Sequence, residues 1–296
     1  MRLIEHLRAI GVPKANQALK TGKVKVRGVP TSDGGREVEP QEVTYDPRAH
    51  RLQPGRDLAV IFHDKHLAVV WKPSGLLSTA APKRGRDDNL VTACARIFGA
   101  AHPVHRLDEG TSGLMLVALT PIAQTSLKKL FEDHNIRRGY LALVHGHFSK
   151  KDQTRTSVLG RGPDGRRASV DSSEGRSATT HLQGLDDLPR GLSLVGARLE
   201  TGRTHQVRIH LAEAGYPVVG DDLYGRRRDH FKRLALHASV LEFKHPLTGR
   251  KLHFDAGLPD DMERYRRHLL AEGPMDGPAP RKKAPRPKKS KKSKKK

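Results

Sequence analysis

The sequence predicts an α+β protein in three parts. These are a small basic module over residues 1–46, a large domain with a mixed, largely antiparallel sheet over 57–270, and a disordered basic tail over 271–296. Three observations carry this prediction. In the large part, apolar runs of strand length outnumber helical stripes and do not alternate regularly with them. The first 46 residues have their own helix–helix–strand–strand pattern. The last residues consist of Gly, Pro, Ala, Ser, Lys and Arg, which have little apolar surface to bury.

In the first part, Leu3, Leu7 and Ile10 recur at helical spacing, and Gly11 closes that helix. A second short helix is expected over 14–19, closed by Gly22. Val24 and Val26 alternate with Lys23, Lys25 and Arg27, which predicts a strand with one basic face. A turn at 32–35 leads to Val38 and Val43. In the large part, β-rich runs at 58–62 and 67–71 flank a turn, and Lys72-Pro73-Ser74-Gly75 breaks the second run. Leu90–Phe98 reads as a helix that buries the single cysteine, Cys94. A buried strand is expected at 113–119. Thr120 then serves as N-cap and Pro121 as first residue of a helix with the stripe Leu127, Leu130 and Phe131. Further strands are expected at 137–148, Leu192–Leu199 and 240–243. Before the last of these, Thr204 is the expected N-cap of a helix through Ala214, closed by Gly215. The stretch 160–176 reads as a basic loop.

Charge gives the first functional clue. The chain of 296 residues holds 55 Lys and Arg against 32 Asp and Glu, a net charge of +23. Residues 281–296 carry 11 of those cations and no acid, and the first 28 residues carry seven cations against Glu5 alone. Such a distribution points to a polyanion, with nucleic acid the default partner. The tail lacks the apolar face or lipidation signal that would hold it on a membrane. No apolar run reaches the roughly 18–20 residues that span a bilayer, and the N-terminus has no secretory pattern. A cytoplasmic protein is therefore expected. One cysteine supports neither an internal disulfide nor a cysteine cluster for metal. The 17 His show no H-E-x-x-H spacing, and neither a phosphate-binding P-loop nor a dinucleotide fingerprint is present. No metal and no cofactor are expected.

Three places could carry chemistry. His105–Leu114 reads HRLDEGTSGL and puts Asp108 on a loop just before a buried strand, where scaffolds usually present reactive groups. Taken alone, Asp108 could equally cap that turn. Arg203 lies at a strand-to-helix corner, where a guanidinium can pair with a carboxylate or a phosphate. Arg208 lies further along the helix, with a structural role open to it, and Asp221 and Tyr224 receive no assignment. Tyr140 offers an aromatic face and a hydroxyl on a strand, or a plain core residue.

The runs WKPSGLL, HRLDEGTSGLMLVAL, RRGYLALVHG, TGRTHQVRIHL with GYPVVGDDLYG, and RLALHASVLEFKHPLTG follow one another in order and spacing as the motifs of the RluA family of pseudouridine synthases do. The resemblance covers residues 57–260. The first module, with its TGKVKVRG run, resembles an S4 RNA-binding domain. The resemblance implies that Asp108 is the essential aspartate, that Tyr140 packs on the target base, and that Arg203 pairs with the aspartate. It implies that Arg106 fills the space left by a flipped base. It assigns Lys72, His105, Arg138, His205, Arg208 and His237 to substrate RNA around an active-site cleft, with Lys14, Lys23, Lys25 and Arg27 on the small module. Gly110, Arg138 and Trp71 depart from the usual pattern at their positions.

The implied reaction breaks the N1–C1′ bond of uridine and makes a C5–C1′ bond. No electrons enter or leave, so one carboxylate suffices, either as nucleophile or as base toward the sugar. The rival readings are a non-catalytic RNA-binding or ribosome-assembly factor, a nucleoside hydrolase, and the related RsuA-like branch. A glycosidase generally needs a second paired carboxylate, and HRLDEGTSGL favours the RluA group. Ribosomal RNA is the expected substrate, transfer RNA the alternative, and the protein is expected to act as a monomer.

Overall fold

Two short helices, α1 (Leu3–Ala9) and α2 (Ala15–Lys20), pack on a three-stranded sheet of β1 (Val24–Val26), β2 (Val29–Pro30) and β3 (Val43–Tyr45). Leu3 and Leu7 from α1, Ala18 and Leu19 from α2, and Val24 and Val26 from β1 form one small core. A computed structural model describes residues 1–47, 58–80, 89–149, 151–171, 175–225 and 231–272 of the chain. The expected basic tail lies, from residue 273 onward, outside the described residues.

The large part has an 11-stranded sheet. Its strands are β4 (Ala59–His63), β5 (Leu67–Lys72), β6 (His102–Pro103), β7 (Ser112–Ala118), β8 (Ile136–His145), β9 (Gln153–Arg161), β10 (Arg167–Ser169), β11 (Arg176–Leu188), β12 (Leu192–Leu199), β13 (Leu236–Lys244) and β14 (Lys251–Asp255). The order is β10-β9-β11-β12-β8-β13-β7-β5-β4, with β14 on β13 and β6 on β7. Among the described strands only β7 and β13 pair in parallel, through His237 with Ser112 and Ala238 with Gly113. The α+β class and the mixed, largely antiparallel sheet therefore agree with the sequence.

β7 is buried at all seven positions because both faces of the sheet are covered there. Leu114, Leu116 and Ala118 join Ala123 and Leu127 of α4 (Pro121–Glu132) on one face. Met115 and Val117 join Leu90 and Cys94 of α3 (Leu90–Phe98) on the other, as the two-residue period of a strand requires. Thr120 caps α4, its hydroxyl accepting from the Ala123 amide at 3.3 Å. Gly113 sits at φ +124°, and a Cβ there would lie 2.2 Å from the Ala238 carbonyl oxygen. No side chain fits at position 113, where β7 meets β13.

Two expectations are corrected. The helix after β12 is α5 (Gln206–Glu213), and its N-cap is His205 in a left-handed conformation, φ 60°, instead of Thr204. Gln206 through Leu211 are all buried, so α5 has no simple apolar stripe. The stretch 160–176 is not simply a loop, since it supplies the end of β9 and all of β10, which pair as a hairpin. The last described helix, α6 (Asp260–Glu272), has no counterpart among the sequence expectations. It ties the first module to the sheet domain. Asp260 accepts from Arg36 at 3.2 Å and from the Ser32 amide at 2.8 Å, and Arg267 pairs with Asp33.

Candidate active site

The loop from β6 to β7 carries Asp108, and it is tied down on both sides of that residue. Before it, Ser78 Oγ donates to the Leu107 carbonyl at 2.7 Å and accepts from the Leu107 amide at 2.9 Å. After it, Lys72 Nζ donates to the Glu109 carbonyl at 3.0 Å, and Ser74 Oγ donates to that of Gly110 at 2.7 Å. The Gly75 amide also donates to the Glu109 carbonyl, and the Thr111 amide closes a turn on the Asp108 carbonyl. The Lys72-Pro73-Ser74-Gly75 turn is thus the support of the Asp108 loop.

Lys72 itself is fully buried. Its ammonium donates to three backbone carbonyls, those of Pro73, Leu76 and Glu109, and burial pulls its pKa down to about 8. Its expected contact with RNA is therefore corrected: Lys72 holds the loop. His237 needs the same correction, whereas His105 is half-buried on the wall of the cleft. His237 is fully buried, contacts Ser112 Oγ through Nδ1 at 2.9 Å and packs on Trp71. His105 accepts the Leu116 amide on Nε2 at 2.9 Å and stacks on Phe131. Burial pushes both imidazoles down to about 3, so they are neutral at physiological pH.

The Asp108 carboxylate sits in the cleft with 18% of its side chain exposed. Its partner is Arg208, whose Nη1 donates to Asp108 Oδ2 at 3.3 Å. The sequence reading gave that place to Arg203, and the structure corrects it. Arg203 lines the same cleft, but its Nε donates to the Ser177 carbonyl at 3.1 Å. Arg208 is held in turn by Asp221, with Nε and Nη2 donating to the two carboxylate oxygens at 2.8 Å each. Asp221 also accepts the Leu223 and Tyr224 amides, and the Tyr224 ring lies under the guanidinium at 5.1 Å. Burial opposes charge on both partners, yet their pairing lowers the Asp221 pKa and raises that of Arg208. Both are charged, and Arg208 is a fixed cation pointed at Asp108.

Asp221 and Tyr224 are thus residues that the sequence reading missed. The turn-rich segment between two glycines, Gly220 and Gly225, carried a signal for a tight structure. Nothing in the spacing linked it to Arg208.

Tyr140 comes from β8 and lines the cleft beside Asp108. Burial raises its pKa, so it is a neutral phenol. Arg106 is exposed at the mouth. Arg138 is buried, donates to the Glu200 carbonyl at 3.1 Å and packs against Gly202, where a Cβ would lie 2.4 Å from its Nη1. His205 stands between Asp108 and Tyr224, with Nε2 3.9 Å from Asp108 Oδ1. Outside the inner cleft, a groove of about 450 Å³ runs past Arg106, Arg138, Tyr140 and Arg203. The cleft therefore joins one carboxylate, one aromatic face and several cations, a set suited to a ring-bearing polyanion.

On the first module, Lys14 is exposed and Lys25 is half-buried. Lys23 donates to the Pro47 carbonyl at 2.7 Å. Arg27 pairs with Glu42 and Asp255, an ion-paired position that the sequence reading did not foresee. Among the described residues, no group of three or more His, Cys, Asp or Glu is placed to hold a metal ion, and no helix is long and apolar enough to cross a membrane.

Known proteins are similar to this chain. The family described as RNA pseudouridylate synthase matches residues 66–213. The ribosomal large subunit pseudouridine synthase D of Zymomonas mobilis is 41% identical over 73% of this chain and 74% of its own length. An uncharacterized RNA pseudouridine synthase of Bacillus subtilis, YlyB, is 35% identical over 88% of this chain and 90% of its own. Among solved structures, human RNA pseudouridylate synthase domain containing 1 superposes with a TM-score of 0.59 at 29% identity. That match covers 70% of this chain and 86% of the human one. The chain belongs to the RNA pseudouridine synthase family, as an isomerase of the RluA and RluD type.

Proposed function

We propose that this enzyme converts uridines in structured ribosomal RNA to pseudouridine, with Asp108 as the catalytic carboxylate acting on the ribose. The observation that carries the reading is the Asp108–Arg208–Asp221 array at the base of the cleft. A cation fixed by a second, buried carboxylate orients Asp108 without occupying both of its oxygens. Asp108 Oδ1 stays open to the substrate, either to attack C1′ or to take a proton from the sugar.

The target base leaves the helix to reach Asp108, which costs on the order of a few kcal/mol. Stacking on Tyr140 offsets roughly 1–3 kcal/mol of that, a usual value for a base on an aromatic ring. Arg106, exposed at the mouth, fills the vacated space, and Arg138 and Arg203 line the path of the backbone. The first module acts as an S4-like RNA-binding domain, with Lys14 and Lys25 toward phosphate. Ribosomal RNA is favoured because the relative from Zymomonas mobilis is named for the large ribosomal subunit. A relative in Haemophilus influenzae is named a dual-specificity RNA pseudouridine synthase, so a second class of RNA stays open, and transfer RNA is our alternative. The enzyme works as a cytoplasmic monomer.

The test is tritium release from [5-³H]uridine-labelled ribosomal and transfer RNA. Wild type should release tritium, and Asp108→Asn should bind the RNA with unchanged affinity and release none. Release by Asp108→Asn at the wild-type rate would overturn the role of Asp108.

A further inference from the structure

We propose that His205 is a second catalytic residue, whose Nε2 accepts the C5 proton of the reacting uracil; this rests on the uridine isomerisation described above. The isomerisation forms the C5–C1′ bond while C5 still carries its hydrogen. That proton must leave C5, and N1, freed from the sugar, must gain one. Nε2 takes the C5 proton and passes it to solvent, and N1 takes one from solvent, so the exchange balances and the charge on the base is restored.

The hydrogen bonds around His205 fix its tautomer. Tyr224 has one hydroxyl proton, and it donates that proton to the Arg167 carbonyl at 2.8 Å. The Tyr224 oxygen therefore serves as acceptor toward His205 Nδ1, 2.9 Å away. A neutral His205 then carries its proton on Nδ1 and a bare lone pair on Nε2. Nε2 faces Asp108 Oδ1 at 3.9 Å, beyond hydrogen-bond range, and lies in the same cavity as Tyr140. The Tyr224 ring is itself fixed under Arg208, so the array that orients Asp108 also orients the imidazole.

The other groups at the cleft are poorly suited to this step. Asp108 is engaged with the sugar. Tyr140 is a phenol whose pKa burial raises. Arg106, Arg203 and Arg208 are cations. The groups that face His205 are Asp108, Arg208, Asp221, Arg106 and Tyr224. Burial pulls its pKa below the ordinary 6.5 against the pull of Asp108, which keeps the ring neutral at physiological pH. Protonation removes the lone pair, so the rate should fall as pH drops through that lowered pKa.

The experiment is single-turnover conversion of RNA whose target uridine carries hydrogen or deuterium at C5, across pH. With His205→Gln, product formation should slow by about 10²–10⁴-fold, the usual contribution of a general base. It should also acquire a primary isotope effect that wild type lacks, and the acid limb of the profile should vanish. Tyr224→Phe keeps the ring under Arg208 but removes the acceptor of the Nδ1 proton, which disfavours the imidazolium, so its acid limb should move to lower pH. Circular dichroism and RNA affinity check that both variants are folded. A wild-type rate in His205→Gln, or a slowed rate without an isotope effect, would overturn the proposal, as would an unmoved acid limb in Tyr224→Phe. A wild type that makes no pseudouridine would instead overturn the functional reading beneath it.

Discussion

Replacing Asp221 by alanine should damage both stability and catalysis, although Asp221 does not touch Asp108. The Asp221 side chain is fully buried and that of Arg208 is 9% exposed, and two 2.8 Å hydrogen bonds join them. Removing one partner of a buried pair leaves the other charge unpaired, and this destabilises by about 3–5 kcal/mol. At roughly 2–4 °C per kcal/mol for a large domain, Tm should fall by about 6–20 °C. Arg208 would then turn more fully onto Asp108, its remaining carboxylate partner. That movement should close Asp108 Oδ1 to substrate and lower kcat while RNA affinity holds. Thermal unfolding beside single-turnover kinetics measures both effects. Asp222→Ala, at an exposed neighbour, is the control and should stay within about 0.5 kcal/mol of wild type. Equal Tm values for the two variants would refute the reasoning.

The two arginines of the TGRTHQVR run should separate. Arg208→Lys keeps the charge but loses the bidentate fork, so kcat should fall at least about tenfold, while Arg203→Lys should act mainly on KM. Stability should also respond to acid. The unfolded His105 and His237 take up protons below about 6.5, while the folded rings stay neutral to about 3. The unfolded state therefore binds more protons in that window, and stability falls with pH by up to about 1.4 kcal/mol per unit for each ring. His237→Asn should flatten the slope of urea stability against pH between 6 and 4. Removing residues 281–296 should reduce the salt dependence of RNA binding and spare the chemical step.

Much of the fold was legible because its signals are local. Thr120 and Pro121 start α4 as read, β12 has the expected bounds, and Gly215 closes α5 at φ 88°. The loop position of Asp108 was legible because a largely apolar run follows it. What escaped was long-range or masked by polarity. In α5, Gln206 and His210 are buried on hydrogen bonds to Thr180, which lies on β11. A helix buried that way has no stripe to reveal that Arg208 faces Asp108. The resemblance places Lys72 on RNA, since sequence cannot show three carbonyls converging on its ammonium. α6 buries only Met262 and Leu269 and so lacks a broad apolar face. Its acidic first turn after Pro259 was a usable start signal.

The central claim is that one carboxylate drives an isomerisation in RNA. It is tested most directly by digesting ribosomal RNA to nucleosides after incubation with the wild-type enzyme or with Asp108→Asn. The account predicts that wild type turns uridine into pseudouridine of the same mass with no free uracil, and that Asp108→Asn makes neither. Free uracil from wild type, or pseudouridine from Asp108→Asn at the wild-type rate, would contradict it.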